Sequence, residues 1–408
     1  MNTSKAIQTV STINLIIIFS LGFSVQRSST SLYLLLSALA LILTITKKTF
    51  RNTLKSCWKT FPGWIIAMLT LAIAITIQEI ASATLQLKYA DAAYRLFLAP
   101  LVLALIYESK AGNIKTIKWS WLAAVIFMAI SGYVNYLATQ DLRLHSSFTN
   151  TIPYSAFCAV FAILFITTNQ QNRLISVICF ILAAVVIFYS QSRGVWTGVA
   201  LASIFLILNT YKISARKIFF TTTLAVIAIY YASDLFASRA NITIQQISDF
   251  FNGNREGSVG MRMQLALASY YIFIENPLFG VGRNLLPALH ELYINGYITQ
   301  SVSNSADTHG ELFYNAASLG IVGIIYYIIF YIFTTIPFVQ AMKQEATRQI
   351  GMAGVAISIV FFFTGLEYFF FIFASEILFW FFQLLLLHFQ FIAYTTVFHG
   401  ISILKGFR

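Results

Sequence analysis

The stretch FNGNREGSVGMRMQLALASYYIFIENPLFGVGRN (251–284), closed by SNSADTHGELFYNAASLG (303–320), is the longest interruption in a chain that is otherwise apolar almost throughout. Between Phe251 and Gly320 lie a cluster of arginines and two of the five histidines, His290 and His309. The surrounding chain gives this stretch its meaning. Of the 408 residues, 58% are hydrophobic and only 10% charged, and the mean hydropathy is +0.77, far from the averages of soluble proteins. Apolar segments of about 16 to 25 residues recur from end to end, the length that crosses a hydrocarbon core as a helix. Strands of a membrane barrel would be shorter and would alternate. The sequence therefore predicts an all-α integral membrane protein, with the quoted stretch as its working face.

Working outward, spans are expected at 11–25, 31–46, 62–79, 94–108, 118–137, 151–168, 174–189, 195–210 and 218–232. Three more are expected at 312–340, 350–366 and 377–396. The expected organisation is one membrane domain of about 12 helices: nine in 1–232, a long outer loop with short amphipathic helices in 233–311, and three in 312–408. The 312–340 segment is too long for one untilted span and is expected to begin outside the membrane or to bend. The first apolar run, Ile13 to Val25, leads into QRSST rather than a small-residue cleavage site, and reads as a retained first helix. Cys57, Cys158 and Cys179 suggest neither a disulfide framework nor a thiolate metal site.

Orientation follows from the basic residues, which are enriched in cytoplasmic loops. With both termini inside, the inner set holds 17 of the 26 Lys and Arg. The net charge of +12 is then topogenic, facing anionic membrane lipid, and no nucleic-acid partner is implied. The outer set is Arg27, Lys88, Arg95, Arg143, Arg193, Arg239, Arg255, Arg262 and Arg283. Arginines retained against the positive-inside bias call for a use.

Arg193, in YSQSRGVWTG, lies in a short turn between two spans, where Ser192 and Gly194 permit a tight reversal. It reads either as part of a site or as an arginine snorkelling at the interface. Arg262 lies on MRMQLALASYYIFIEN, expected to be an amphipathic helix on the membrane with Met261, Leu265, Ala268 and Ile272 as its apolar stripe. An ordinary interfacial helix explains that segment equally well. Pro277 ends it, and Gly280 and Gly282 supply turn conformations.

His309 stands where the outer loop re-enters the membrane. Asp307 or Thr308 is expected to cap the returning helix, with Glu311 in its first turn. A neutral imidazole can accept a proton from a hydroxyl nucleophile, and arginines that never deprotonate can hold a phosphate leaving group. A lone histidine is more often structural; its place at a rim with several arginines favours the site. His145 and His290 read as structural, and His388 and His399 as interfacial or cytoplasmic. Glu367 and Glu376 flank the last outer turn, as partners of the arginines or as solvated charges. No metal-binding or P-loop pattern is present, so neither a bound metal nor ATP use is expected.

Ser192-Arg193-Gly194, the E-N-P-x-x-G-x-G segment at Glu275–Gly282, His309 at the loop's return and the Ser-Leu-Gly-Ile-Val-Gly run at Ser318–Gly323 together resemble the O-antigen ligases and related O-antigen polymerases of the bacterial inner membrane. The resemblance covers about Ser190 to Gly323; the N-terminal half matches mainly in topology, plus Arg95 at the opening of the fourth span. Gly310 replaces an Asn common in the family, and Asp307 replaces a second His found in some members.

The resemblance implies a GT-C-like fold and a metal-independent, inverting glycosyl transfer on the periplasmic face, with no cofactor. The donor would be a glycan on undecaprenyl diphosphate and the acceptor a sugar hydroxyl of the lipid A core. His309 would be the general base, Arg193 and Arg262 would neutralise the diphosphate, and Arg95 and Arg283 would assist. Asp307 and Glu311 would orient the imidazole. A polymerase, which takes a second lipid-linked repeat as acceptor, is the nearest alternative. A transporter of a lipid-linked substrate would instead place ionisable residues near mid-membrane.

Overall fold

The structure, a computed structural model, describes residues 3–21, 28–83, 93–110, 113–147, 149–169, 171–211, 230–255, 257–305 and 308–366, with 217, 223, 224 and 228. Among the described residues it is helical, with one isolated bridge, Ser146 to Thr149, and no strand. The first half comprises α1 (Thr3–Leu21), α2 (Ser28–Thr46), α3 (Lys48–Thr60), α4 (Pro62–Ala81), a 3-10 turn (Leu96–Leu98) and α5 (Ala99–Ser109). Then come α6 (Ile114–Thr139), α7 (Thr151–Thr168), α8 (Arg173–Ser190) and α9 (Arg193–Tyr211). The segment expected to lie outside holds α10 (Asp234–Phe251), α11 (Gly257–Glu275), α12 (Leu286–Ile294) and the single turn α13 (Gln300–Ser303). Finally, α14 (Glu311–Ala341) and α15 (Arg348–Gly365) return through the bundle.

Local chemistry sets many of these ends. Pro62 and Pro100 sit in the first turns of α4 and α5, where a missing N–H costs nothing. Side chains of Asn113, Asn172 and Ser233 accept from the first-turn amides of α6, α8 and α10. Lys110, Gln140 and Gln191 close α5, α6 and α8 in the left-handed conformation.

Among the described residues, seven helices are long and apolar enough to cross a membrane, and α2 with α3 makes a bent candidate for an eighth. The twelve-span expectation is thus met only in part. The segments expected at 218–232 and 377–396 lie mostly or wholly outside the described residues. The 94–108 span is an 11-residue helix behind a 3-10 turn. The loop expected after residue 46 is α3, which turns away from the preceding helix by 113°.

The core gathers on α7, where every residue from Thr151 to Phe165 is buried. A helix apolar all round belongs in the middle of a bundle, and α7 packs among α6, α8 and α15. Small residues let backbones close in, as between membrane helices generally. A Cβ on Gly198 of α9 would lie 3.0 Å from the Val360 carbonyl of α15, and one on Gly354 would lie 2.2 Å from the Phe338 ring of α14.

The long α14 is broken. Gly320 adopts φ 64°, ψ −145°, and splits it into residues 311–319 and 321–341. The ENPLFGVG segment docks into that break. Val281 N–H donates to the Ala317 carbonyl at 3.1 Å, Gly282 N–H to Ser318 at 2.9 Å, and Ile321 N–H to Pro277 at 2.8 Å. These backbones approach so closely that a Cβ on Gly280 would fall 2.4 Å from Ser318 C, and one on Gly320 would fall 2.6 Å from Leu278 C. Both glycines also carry positive φ, so each is required by space and by conformation.

Candidate active site

Arg193 is the first residue of α9, separated by two residues from the end of α8 at Ser190. The reversal is made by Gln191, at φ 56°, with Ser192. Gly194, expected to supply it, is instead buried in the first turn of α9. Other arginines hold this turn in place. Arg143 Nε donates to the Ser190 carbonyl at 3.3 Å, beside a Leu144 N–H to Tyr189 carbonyl bond of 3.0 Å. Arg239 of α10 donates to Gln191 Oε1 through Nε, at 2.7 Å, and through Nη2. Part of the outer arginine set is therefore structural.

The guanidinium of Arg193 donates to Thr243 Oγ1 of α10 at 2.5 Å and to Ser258 Oγ of α11 at 3.2 Å. Ser258 lies one helical turn before Arg262, and residues four apart share a helix face. Arg193 thus binds both α10 and α11 at one corner, reaching the face of α11 that carries Arg262 a turn further on, and both arginines are half-buried.

The position of α11 is set from both sides. Val259 N–H donates to Gln246 Oε1 of α10 at 3.2 Å. Gln264, fully buried, donates to the Arg255 carbonyl at 2.9 Å and accepts from Thr299 N–H at 2.8 Å. In the expected stripe, Leu265, Ala268 and Ile272 are buried and Met261 is half-buried. This face packs against α14 rather than lying free on a membrane surface.

His309 is half-exposed and has φ 50°, a left-handed backbone immediately before α14. Gly310 is the N-cap residue and makes no side-chain cap; Thr308 Oγ1 donates to the Gly310 carbonyl at 3.3 Å. The expected cap from Thr308 is thus replaced, and Asp307 lies outside the described residues. A Cβ on Gly310 would lie 3.1 Å from the Leu366 carbonyl and 3.0 Å from the Phe313 ring, leaving little room for a larger residue.

Glu311 turns inward. It is 1% exposed and its Oε2 accepts from Tyr331 Oη at 3.1 Å. Among the described residues its Oε1 has no hydrogen-bond partner, and neither do the buried side chains of Asn315 and Ser318, which follow it at helical spacing. A polar row this deep carries a desolvation cost. Arg283 is buried too, at 3% exposure, with its guanidinium 5.1 Å from the centre of the Tyr314 ring and within Coulombic reach of Glu311. Tyr314 Oη donates to the Arg283 carbonyl at 2.5 Å. Arg283 and Glu311 thus lie in the interior beneath His309, and the Glu311 bond runs to Tyr331.

Arg95 is half-buried and precedes the 3-10 turn Leu96–Leu98. Its carbonyl accepts from Tyr33 Oη at 2.8 Å, and the neighbouring Tyr94 Oη is 3.0 Å from Thr76 Oγ1 of α4. Half a turn further on, the Gln78 amide nitrogen lies 3.1 Å from where a Cβ on Gly282 would be. The end of α4 therefore connects the segments bearing Arg95 and Arg283.

His145 contacts the Ser146 carbonyl at 2.7 Å and Asp141 at 3.4 Å, in the loop that holds the Ser190 turn. The Arg143 backbone N–H, and then His145, hold the Asp141 carboxyl below the usual range. His290 packs against Tyr293 within α12. Glu367, Glu376, His388 and His399 lie outside the described residues. Among the described residues no group of three or more His, Cys, Asp or Glu is placed to hold a metal ion.

Sequence reasoning missed Thr243, Ser258, Gln191 and Gln264. Of these, only Ser258 left a signal, its position four residues before Arg262.

No curated protein matches the chain. Residues 178–328 match the family model described as O-antigen ligase. That range holds Arg193, Arg262, Arg283 and His309, so over the candidate site the chain is similar to the O-antigen ligase family.

Proposed function

We propose that the protein is an O-antigen ligase, transferring a glycan from undecaprenyl diphosphate to a sugar hydroxyl of the lipid A core at the periplasmic face of the bacterial inner membrane. The observation that carries this reading is the bond from Arg193 to Ser258, one helical turn before Arg262, within the residues that match the family. The Arg193 guanidinium, fixed by two neutral hydroxyls, and Arg262 one turn beyond Ser258 would together form a cationic cradle for a diphosphate. Charge-assisted bonds there act where negative charge grows on the leaving group.

His309, at the loop's return, is the general base for the acceptor hydroxyl, and inversion follows from attack opposite the departing diphosphate. The proton of the acceptor passes to the imidazole as the new glycosidic bond forms, and the bonding electrons of the old one leave with the diphosphate. Because the lipid-linked donor is already activated, the reaction uses no metal, nucleotide or other cofactor. The buried Arg283 would add positive field from behind the site, Arg95 would assist in binding the diphosphate, and Glu311, with Asp307 as a further candidate, holds the start of α14 that presents His309.

A polymerase acting on a second lipid-linked repeat uses the same donor chemistry, and the family embraces both acceptors. The deciding experiment is the lipopolysaccharide gel profile of a strain lacking this chain, complemented with wild type or His309→Ala. Polymer that accumulates on the lipid carrier without reaching the lipid A core identifies the ligase. A core bearing a single repeat identifies the polymerase.

A further inference from the structure

The helix α3 plays no part in the site described above. Its sequence, KTFRNTLKSCWKT, contains four cations and no acid. At 100° per residue, Lys48, Arg51, Lys55 and Lys59 fall within about 80° of one another on the helix circumference. They form one stripe about 16 Å long, and all four are exposed. Phe50 and Cys57 lie on the opposite side and are buried.

Two further observations say where this stripe faces. α3 departs by 113° from the apolar helix ending at Thr46 and is followed by a membrane-crossing helix starting at Pro62. It therefore runs along the end of the bundle rather than through it. It is also fastened there: Thr53 Oγ1 donates to Glu108 Oε2 of α5 at 2.5 Å, which engages the neighbouring acid outside the stripe. Trp58, 46% exposed, lies beside the cations, as an aromatic anchor does at the boundary between lipid and water.

We infer that α3 is a binding surface for anionic phospholipid headgroups, on the side that the basic residues mark as cytoplasmic. The occupant is set by charge complementarity. A fixed row of ammonium and guanidinium groups, lying flat with its apolar side against the protein, matches a layer of lipid phosphates in the leaflet beside it. A zwitterionic headgroup offsets the same phosphate with its own cation. The surface is independent of the glycosyl-transfer site and stands whether or not that reading holds.

The test uses the full chain, purified and reconstituted in nanodiscs that contain a trace of phosphatidylglycerol or phosphatidylcholine carrying a photoreactive group near the headgroup. After irradiation, crosslinks are mapped by peptide mass spectrometry. The expected result is preferential labelling of residues 48–60 by the phosphatidylglycerol probe. That preference should fall roughly fivefold for each cation neutralised in Lys55→Gln and Lys55→Gln/Lys59→Gln. In Lys343→Gln, an exposed cation elsewhere, it should be unchanged. Raising the salt to about 1 M, where the Debye length is about 3 Å, should abolish it in the wild type. Should a variant fail to insert, the salt titration of the wild type decides alone. Equal labelling by the two probes, or a preference indifferent to salt, would overturn the inference.

Discussion

Two regions bring the candidate site residues into place, and they are built on opposite principles. The corner around Arg193 is assembled from side chains: Arg143 on the Ser190 carbonyl, Arg239 on Gln191, and Arg193 itself on Thr243 and Ser258. The seam between ENPLFGVG and the break in α14 is assembled from backbone, through three N–H to carbonyl bonds around Gly280 and Gly320. A side-chain assembly can lose one member and keep its fold, whereas a backbone assembly with no room for a Cβ cannot. The corner is where chemistry can be altered without unfolding the protein, and the seam is where it cannot.

The largest effect is expected at the seam. Gly320→Ala forces a side chain into a positive-φ position against Leu278 backbone, at a cost of at least about 3 kcal/mol, and Gly280→Ala should behave alike. Both should show a sharp loss of folded protein by size-exclusion chromatography in detergent. If either is recovered at wild-type yield and thermal stability, the distinction between the two regions is lost.

Next come changes that should spare the fold. His309→Ala should lower transfer by about 10² to 10⁴-fold, and Arg193→Lys by about 10²-fold, because an ammonium cannot reproduce the planar fork. Both should insert and melt like wild type. Full activity in Arg193→Lys, measured with purified lipid-linked donor, would remove the diphosphate role from this residue.

Smaller again, Ser258→Ala and Thr243→Val each remove one neutral partner of a cation, worth about 1.5–3 kcal/mol at most. Each should cost roughly tenfold in transfer, and the double variant should show coupling, since both act on one guanidinium. Arg143→Ala should cost about 1 kcal/mol of stability and a few-fold in activity, by loosening the turn from behind.

The smallest effect concerns pH. The folded Asp141 carboxyl is held below its usual range, so its contribution is present at neutral pH and fades as acid protonates it. Asp141→Asn should remove that acid sensitivity of the Ser190 turn, read by hydrogen exchange at Leu144.

The seam and the corner also differ in how much of them the sequence revealed. Two glycine motifs and an overlong apolar segment pointed to a bend in α14 and to a turn after α11, because glycine and proline constrain backbone locally. That these two signals describe one structure was invisible, since nothing local relates residue 280 to residue 320. At the corner, Arg193 and Arg262 stood out by charge, but the partners of Arg193, Thr243 and Ser258, are ordinary polar residues, marked at most by the four-residue spacing of Ser258 to Arg262. The burial of Arg283 and Glu311 was unreadable for a similar reason: composition places charges outside, and only packing against Tyr314 and Tyr331 draws them in. The basic run 48–59 was read as a loop because its few apolar residues hardly raise hydropathy, although their spacing is helical.

The break in α14 also has a consequence for the order in which the protein is made. Residues 321–341 rise about 31 Å as a helix, enough to cross a hydrocarbon core of about 30 Å without help. Residues 311–319 are too short to do so, and their C-terminal carbonyls, at Ala317 and Ser318, accept from the docked Val281 and Gly282 backbone. The membrane half can therefore insert as the chain emerges, while the half that presents His309 settles later, onto a loop already in place on the far side. On that order, the candidate site is completed by docking of the Pro277–Gly282 backbone against the break at Gly320.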